Sequence, residues 1–162
     1  MKKLAWLSAV IPAPFGAMGI RTEEGLVKEL VYLPAQTPLQ KPTSALAKKV
    51  TLQIEAYFAN PAFQFDLPLA PQGTLFQHRV WKAISDIPLG QVSTYGNIAK
   101  RIASAPRAVG QACGANWYPL IIPCHRVTAA HGLGGFAHSD DDSGFHLSVK
   151  RWLLAHESVD GY

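Results

Sequence analysis

Ala105-Pro106-Arg107-Ala108-Val109-Gly110-Gln111-Ala112-Cys113-Gly114-Ala115-Asn116 is the stretch on which the fold turns. Ser104 stands ready as its N-cap, and Pro106 is tolerated in a first helical turn, where its missing N–H loses no partner. Apart from Arg107, Val109, Gln111 and Asn116, almost every side chain is small. The backbone of such a helix can come very close to another surface. Close packing against a second helix is one use of that smoothness. A minor-groove approach to DNA is another, because major-groove reading asks for several long polar side chains to reach base edges. A single long cation, Arg107, suits the minor groove.

Just upstream, Ser93 or Thr94 can cap a shorter helix running through Ile98 and Ile102. Two short helices joined by a tight turn make the outline of a helix-turn-helix, which by itself is also a common packing unit. Before them, Phe76, Val80, Trp81 and Ile84 mark an amphipathic helix ended by Pro88-Leu89-Gly90. Leu147, Val149, Trp152, Leu153 and His156 mark a last helix. From Arg79 to Arg126 the chain carries six basic residues (Arg79, Lys82, Lys100, Arg101, Arg107, Arg126) against the single acid Asp86. Such a stretch can track phosphates or simply be a solvated surface.

The first third has another character. Gly16 to Ile20 and Leu26 to Leu33 are rich in apolar and β-branched residues, with a hairpin turn expected at Glu23-Glu24-Gly25. Thr43 and Ser44 precede Leu46, Val50, Ile54, Tyr57 and Phe58 at helical spacing, and Asn60-Pro61 stops that helix. Met1-Lys2-Lys3 and the apolar Leu4 to Val10 have the outline of a signal peptide. Pro12 and Pro14 interrupt it early, and no small-x-small cleavage site follows near Ala13 or Ala17. The segment reads as a first strand ending in a proline-containing turn. The expected architecture is α+β: a small N-terminal antiparallel sheet with a helix over residues 1–68, a linker from Pro68 to Gly73, and a mostly helical C-terminal domain over 73–162.

A chain of 162 residues with 48% hydrophobic and 16% charged content folds around a real core, and its net charge of +4 is only mildly suggestive of a polyanion. No stretch is long enough to span a membrane. Cys113 and Cys124 make no disulfide framework, and neither they nor the histidines show zinc spacing, so no metal is expected. The expectation is a cytoplasmic, monomeric protein with reduced thiols. Pro123-Cys124-His125-Arg126-Val127 follows the apolar run Leu120-Ile121-Ile122, which reads as the end of a buried strand. A free cysteine is most often a small core hydrophobe. A thiol becomes a strong nucleophile when a neighbour takes its proton, and an imidazole is the usual agent.

In these segments the chain resembles the O6-alkylguanine-DNA alkyltransferases, the methylated-DNA–protein-cysteine methyltransferases. The resemblance is dense over residues 73 to 157. It rests on Gly73-Thr74-Leu75-Phe76-Gln77 with Val80-Trp81, and on Pro88-Leu89-Gly90 with Thr94-Tyr95 and Ile98-Ala99. Arg107-Ala108-Val109-Gly110, then Asn116 ahead of Pro123 to Val127, and Trp152 to Glu157 complete it in order. The resemblance implies an N-terminal domain of ribonuclease H-like fold and a C-terminal domain that binds duplex DNA carrying O6-alkylguanine. It also implies flipping of the base through the minor groove. Cys124 is implied as the acceptor of the alkyl group, used once and without a cofactor.

By the same resemblance His125 takes the thiol proton through a bridging water, and Glu157 holds the imidazole. Asn116 ties the active-site turn to the neighbouring helix, and Tyr95 donates to the departing guanine. Arg107 is the finger that fills the gap left by the flipped base. Thr94, Tyr95, Ala108, Gln111 and Cys113 are the remaining DNA-side positions. Cys113 otherwise reads as a packing residue, having no base beside it to activate it. Pro123, Val127, Gly135, Phe136 and Ala137 are implied to line the substrate pocket, with the Val127 backbone reading the guanine edge. Gly135-Phe136-Ala137 matches the start of the family's glycine-rich loop, but His138 to Gly144 stand where paired glycines are expected.

Three other functions compete. An alkyltransferase-like protein that binds and flags alkylated DNA would lack the cysteine. A Cys-His hydrolase would turn over repeatedly and leaves the Arg107 helix unexplained. A helix-turn-helix regulator would carry base-reading side chains on its second helix.

Overall fold

The computed structural model describes residues 5–136 and 144–162. Expectations for Leu4 and for His138 to Ser143, the three aspartates included, fall outside them. The chain divides into two compact units, Met1–Gln72 and Gly73–Tyr162.

In the first unit, β1 (Ala9–Ala13), β2 (Gly16–Glu23) and β3 (Leu26–Leu33) form an antiparallel sheet in that order. Glu24 and Gly25 join β2 to β3 with φ of 53° and 76°, the geometry of a two-residue type I′ hairpin, whose twist matches that of the strands. Pro12 lies inside β1, paired with Ala17, and not in a turn beyond it. It is tolerated because Val10 turns its N–H and carbonyl outward to Gln40, at 2.9 and 3.0 Å. Two residues on, the missing N–H of Pro12 therefore also falls on the outer side. Gly19 sits where a Cβ would meet Val31 Cγ2 at 2.6 Å, so Leu7 and Val31 close over bare backbone.

Helix α1 (Ala45–Ala59) starts at Ser44, whose hydroxyl accepts from the Ala47 N–H at 3.0 Å, and buries Ala47, Val50, Ile54 and Tyr57. The segment expected as a linker is partly a strand partner. Val27 donates to the Pro68 carbonyl and accepts from the Ala70 N–H, both at 2.8 Å.

The second unit opens with α2 (Leu75–Ser85). Thr74 and Gln77 form a reciprocal capping box, and Val80, Trp81, Ala83 and Ile84 are buried. A two-residue strand β4 (Ser93–Thr94) leads directly into α3 (Tyr95–Arg101), with the Thr94 hydroxyl accepting from Asn97 N–H at 3.0 Å. Helix α4 (Pro106–Gly114) buries Val109 and Ala112, and Trp81 Nε1 donates to the Ala112 carbonyl at 2.9 Å, tying α2 to α4.

The cap of α4 is Ala105, without a side-chain bond, and not Ser104. Ser104 instead gives its N–H to Ala99 at 2.8 Å, closing α3. Leu120 to Ile122 form turns, not a strand. Leu120 takes φ of 75°, which reverses the chain in a way no extended run could. A 3-10 turn (Cys124–Arg126) and β5 (Val127–Thr128) follow, and β5 pairs in parallel with β4 through Ser93–Val127 and Thr94–Thr128. Helix α5 (Phe145–His156) closes the unit, burying Leu147, Val149, Lys150, Leu153 and Leu154. Trp152 and His156 are half-buried and stack on each other at 4.6 Å, outside that buried face. No helix among the described residues is long and apolar enough to cross a membrane.

Candidate active site

The turn after α4 is organised by one amide. The Asn116 N–H donates to the Cys113 carbonyl at 3.2 Å, and its Oδ1 accepts from the Tyr118 N–H at 2.8 Å. Its Nδ2 donates to the Ile122 carbonyl at 2.9 Å and to Cys124 Sγ at 3.3 Å. Asn116 thus folds the chain back on itself and presents a donor to the buried thiol. Burial alone disfavours a thiolate, whereas a donor aimed at sulfur favours it. The Cys124 thiol stands well above the usual cysteine range. A hydrogen bond with the Cys113 thiol is the largest cause, then burial, against the downward pull of Asn116 and of the Lys150 ammonium.

The next residue starts an ionic relay. His125 Nε2 lies 2.8 Å from Glu157 Oε2, with both side chains almost wholly buried. Burial pushes the imidazole below the usual histidine range, opposed by the Glu157 carboxylate, so the ring is neutral at pH 7. A carboxylate only accepts, so Nε2 carries the proton and Nδ1 keeps its lone pair. Nδ1 is buried and has no hydrogen-bond partner among the described residues. It is the atom free to take a proton.

A carboxylate at the end of α5 would be costly to bury unpaired. Arg126 compensates it: Nε donates to Oε1 at 2.8 Å and an Nη donates to Oε2 at 3.2 Å, while the other Nη donates to the Ile87 carbonyl at 2.7 Å. The three consecutive residues Cys124, His125 and Arg126 thus place a thiol, an imidazole and a guanidinium side by side, the last two both paired with Glu157.

The pairing of β4 with β5 brings the start of α3 beside this segment. The Tyr95 hydroxyl donates to the Gly135 carbonyl at 3.0 Å. The same carbonyl accepts from Lys150 Nζ at 2.9 Å, and Nζ also reaches the Leu133 carbonyl at 2.7 Å. Between them Gly134 has φ of 74°, and a Cβ there would meet the Tyr95 ring at 2.9 Å. Burial raises the Tyr95 hydroxyl above the usual tyrosine range and lowers Lys150 to about 8. At pH 7 both keep their protons.

The residues singled out from sequence are therefore distributed as follows. Cys124, His125, Glu157, Asn116 and Tyr95 converge with Pro123, Val127, Gly135 and Phe136 within the second unit. Arg107 and Gln111 lie exposed on α4, one turn apart and away from buried Val109 and Ala112, with Ala108 and Cys113 half-buried. Thr94 is engaged as the cap of α3. Ala137 lies outside the described residues. Sequence reasoning missed Lys150 and the pairing role of Arg126. Lys150 had a signal, since Leu147, Lys150 and Leu154 fall at i, i+3 and i+7 on one apolar helical face. Among the described residues no group of three or more His, Cys, Asp or Glu side chains could hold a metal ion.

Comparison with known proteins agrees with this geometry. Residues 75–159 match the family model described as 6-O-methylguanine DNA methyltransferase, DNA binding domain. The methylated-DNA–protein-cysteine methyltransferase of Methanosarcina mazei is 40% identical over 153 residues, covering 90% of this chain and 92% of that protein. The crystal structure of Mycobacterium tuberculosis O6-methylguanine methyltransferase superposes with a TM-score of 0.75 at 35% identity, covering 94% and 93% of the two chains. The M. tuberculosis protein in complex with DNA gives 0.74 at 36% identity, covering 92% and 91%. The paired short helices α3 and α4, the buried His125–Glu157 pair beside Cys124 and similarity along nearly the whole chain place this protein in the methylated-DNA–protein-cysteine methyltransferase family.

Proposed function

We propose that the protein repairs alkylated DNA by moving the alkyl group from O6 of a guanine in duplex DNA onto Cys124 Sγ. The carrying observation is the buried relay from the thiol segment through His125 to Glu157, with the Asn116 amide on sulfur. His125 Nδ1 takes the thiol proton through a bridging water. Glu157, already hydrogen-bonded to Nε2, stabilises the imidazolium that results. The thiolate then attacks the alkyl carbon in line. One S–C bond forms as the O6–C bond breaks, and its electron pair stays on guanine.

Tyr95 protonates the purine and regains a proton from the one released by the thiol, so thiol and alkylguanine become thioether and guanine. In the structure the Tyr95 hydroxyl donates to Gly135. Donation to the base requires exchanging that acceptor for the purine. A thioether has no easy leaving route, so each molecule acts once.

DNA is the partner, as for the M. tuberculosis relative crystallised with it. The exposed Arg107 fills the gap left by the extruded base, and small residues along α4 permit a close minor-groove approach. Thr94, Ala108 and Gln111 meet the backbone around it.

Incubation with a duplex containing O6-methylguanine should add one methyl per protein to the Cys124 peptide, read by mass spectrometry. Repeated turnover, or methyl on Cys113, would overturn the reading. Arg107→Ala should slow repair of duplex DNA far more than reaction with the free base O6-benzylguanine.

A further inference from the structure

Among the described residues Lys150 is the largest fully buried side chain, and it is the one buried cation of α5. Its place on the apolar face, between Leu147 and Leu154, would be filled by leucine or methionine if packing were its only task. Replacing a buried ion by a hydrophobe of similar size is often neutral or stabilising. The ammonium is instead aimed at the site. It donates to two carbonyls of one short loop, Leu133 and Gly135. It also lies 5.7 Å from the ring centroid of Tyr95 and 5.8 Å from that of Phe136, within reach of the negative face of each ring. Gly135 accepts from Lys150 and Tyr95 together, so both side chains anchor the same peptide.

We propose that Lys150 is a positioning residue for alkyl transfer, whose buried charge holds Tyr95 and the loop Leu133–Phe136 in place and supports the Cys124 thiolate. This rests on Cys124 being the acceptor. The titratable groups that feel the ammonium come from several elements. Tyr95 belongs to α3 and Cys113 to α4, while Cys124 and His125 come from the 3-10 turn. A positive charge favours the thiolate, and it also disfavours protonation of His125, a cost that the Glu157 carboxylate opposes. Within the relay the two effects oppose each other, and only the first favours the charged sulfur that attacks the alkyl carbon. The carbonyl contacts act separately, by fixing where the Tyr95 hydroxyl waits.

The test compares Lys150→Met, Lys150→Gln and Lys150→Arg in the full chain. Two readouts are taken across pH 6 to 10: alkylation of Cys124 by iodoacetamide, and single-turnover transfer from O6-benzylguanine. Below about pH 8, where Lys150 carries its charge, the neutral variants should react about tenfold more slowly than wild type, and the difference should close at higher pH as wild-type Lys150 loses its proton. Lys150→Arg, which keeps the charge, should stay within about threefold of the wild-type rate below about pH 8, since its geometry differs. A folded Lys150→Met or Lys150→Gln protein whose profile superimposes on wild type would overturn the proposal, whatever its melting temperature. Gln retains a donor for the loop carbonyls, so it decides the question if Met does not fold. Mass spectrometry of the wild-type product separates the two levels. Label away from Cys124 sinks the acceptor reading, whereas label on Cys124 with an unmoved profile sinks only the role of Lys150.

Discussion

The two units of this chain bury different things. In Met1–Gln72 the core is aliphatic and aromatic, and its single buried polar side chain among the described residues is Thr37. In Gly73–Tyr162 the buried set includes His125, Lys150 and Glu157 as well as Thr128. Apolar burial is non-directional and forgiving, so the first unit is held by area and strand register. Buried ions are directional and intolerant, since losing one partner strands the other. Chemistry is found where the chain accepts that second kind of interior.

Substitutions can break this contrast. Cys124→Ser should abolish alkyl transfer completely while leaving the melting temperature close to wild type, and residual transfer would show that the ionic interior serves another group. Glu157→Ala should lower unfolding free energy by about 3–5 kcal/mol, because it strands buried His125 and Arg126 together. Urea titration checks that figure. Ile54→Ala in the first unit should cost about 2–5 kcal/mol with transfer per folded molecule unchanged. Loss of specific activity there would dissolve the distinction between the units. Asn116→Ala should cost about 1–3 kcal/mol by removing the bonds of its amide to the Tyr118 N–H and the Ile122 carbonyl. It should also raise the pH needed for thiol alkylation, since it removes a donor to sulfur.

The smallest effect is in pH dependence. The Cys124 thiol lies above its ordinary value, so wild-type alkylation by iodoacetamide should keep rising through pH 9 without levelling. A plateau below pH 8 would mean that the cation and amide outweigh burial.

Much of this was readable from residues alone, and the reasons are local. The hairpin at Glu24-Gly25 and the caps at Ser44 and Thr94 obey short-range rules. Cys124, His125, Asn116 and Glu157 were singled out together only through the resemblance to a known family. Three features were hidden. A two-residue parallel pair such as β4–β5 has no periodicity to detect, yet it brings Tyr95 to the thiol. Leu120 carries no mark of its positive φ, because a leucine there is held by its surroundings and not by its own preference. Lys150 was passed over because lysine is rarely buried, although its helical spacing with Leu147 and Leu154 carried a signal.

Helix α5 has a last consequence, for length instead of composition. Lys150 and Glu157 are seven residues apart, two helical turns, which sets their Cα atoms about 10.5 Å apart along the axis and within about 20° of the same face. The helix is thus a ruler with one charge at each mark. Adding or deleting a single residue between them turns one mark by about 100°. No substitution elsewhere could then restore both the loop clamp and the imidazole relay, so this interval is the part of the chain least open to insertion.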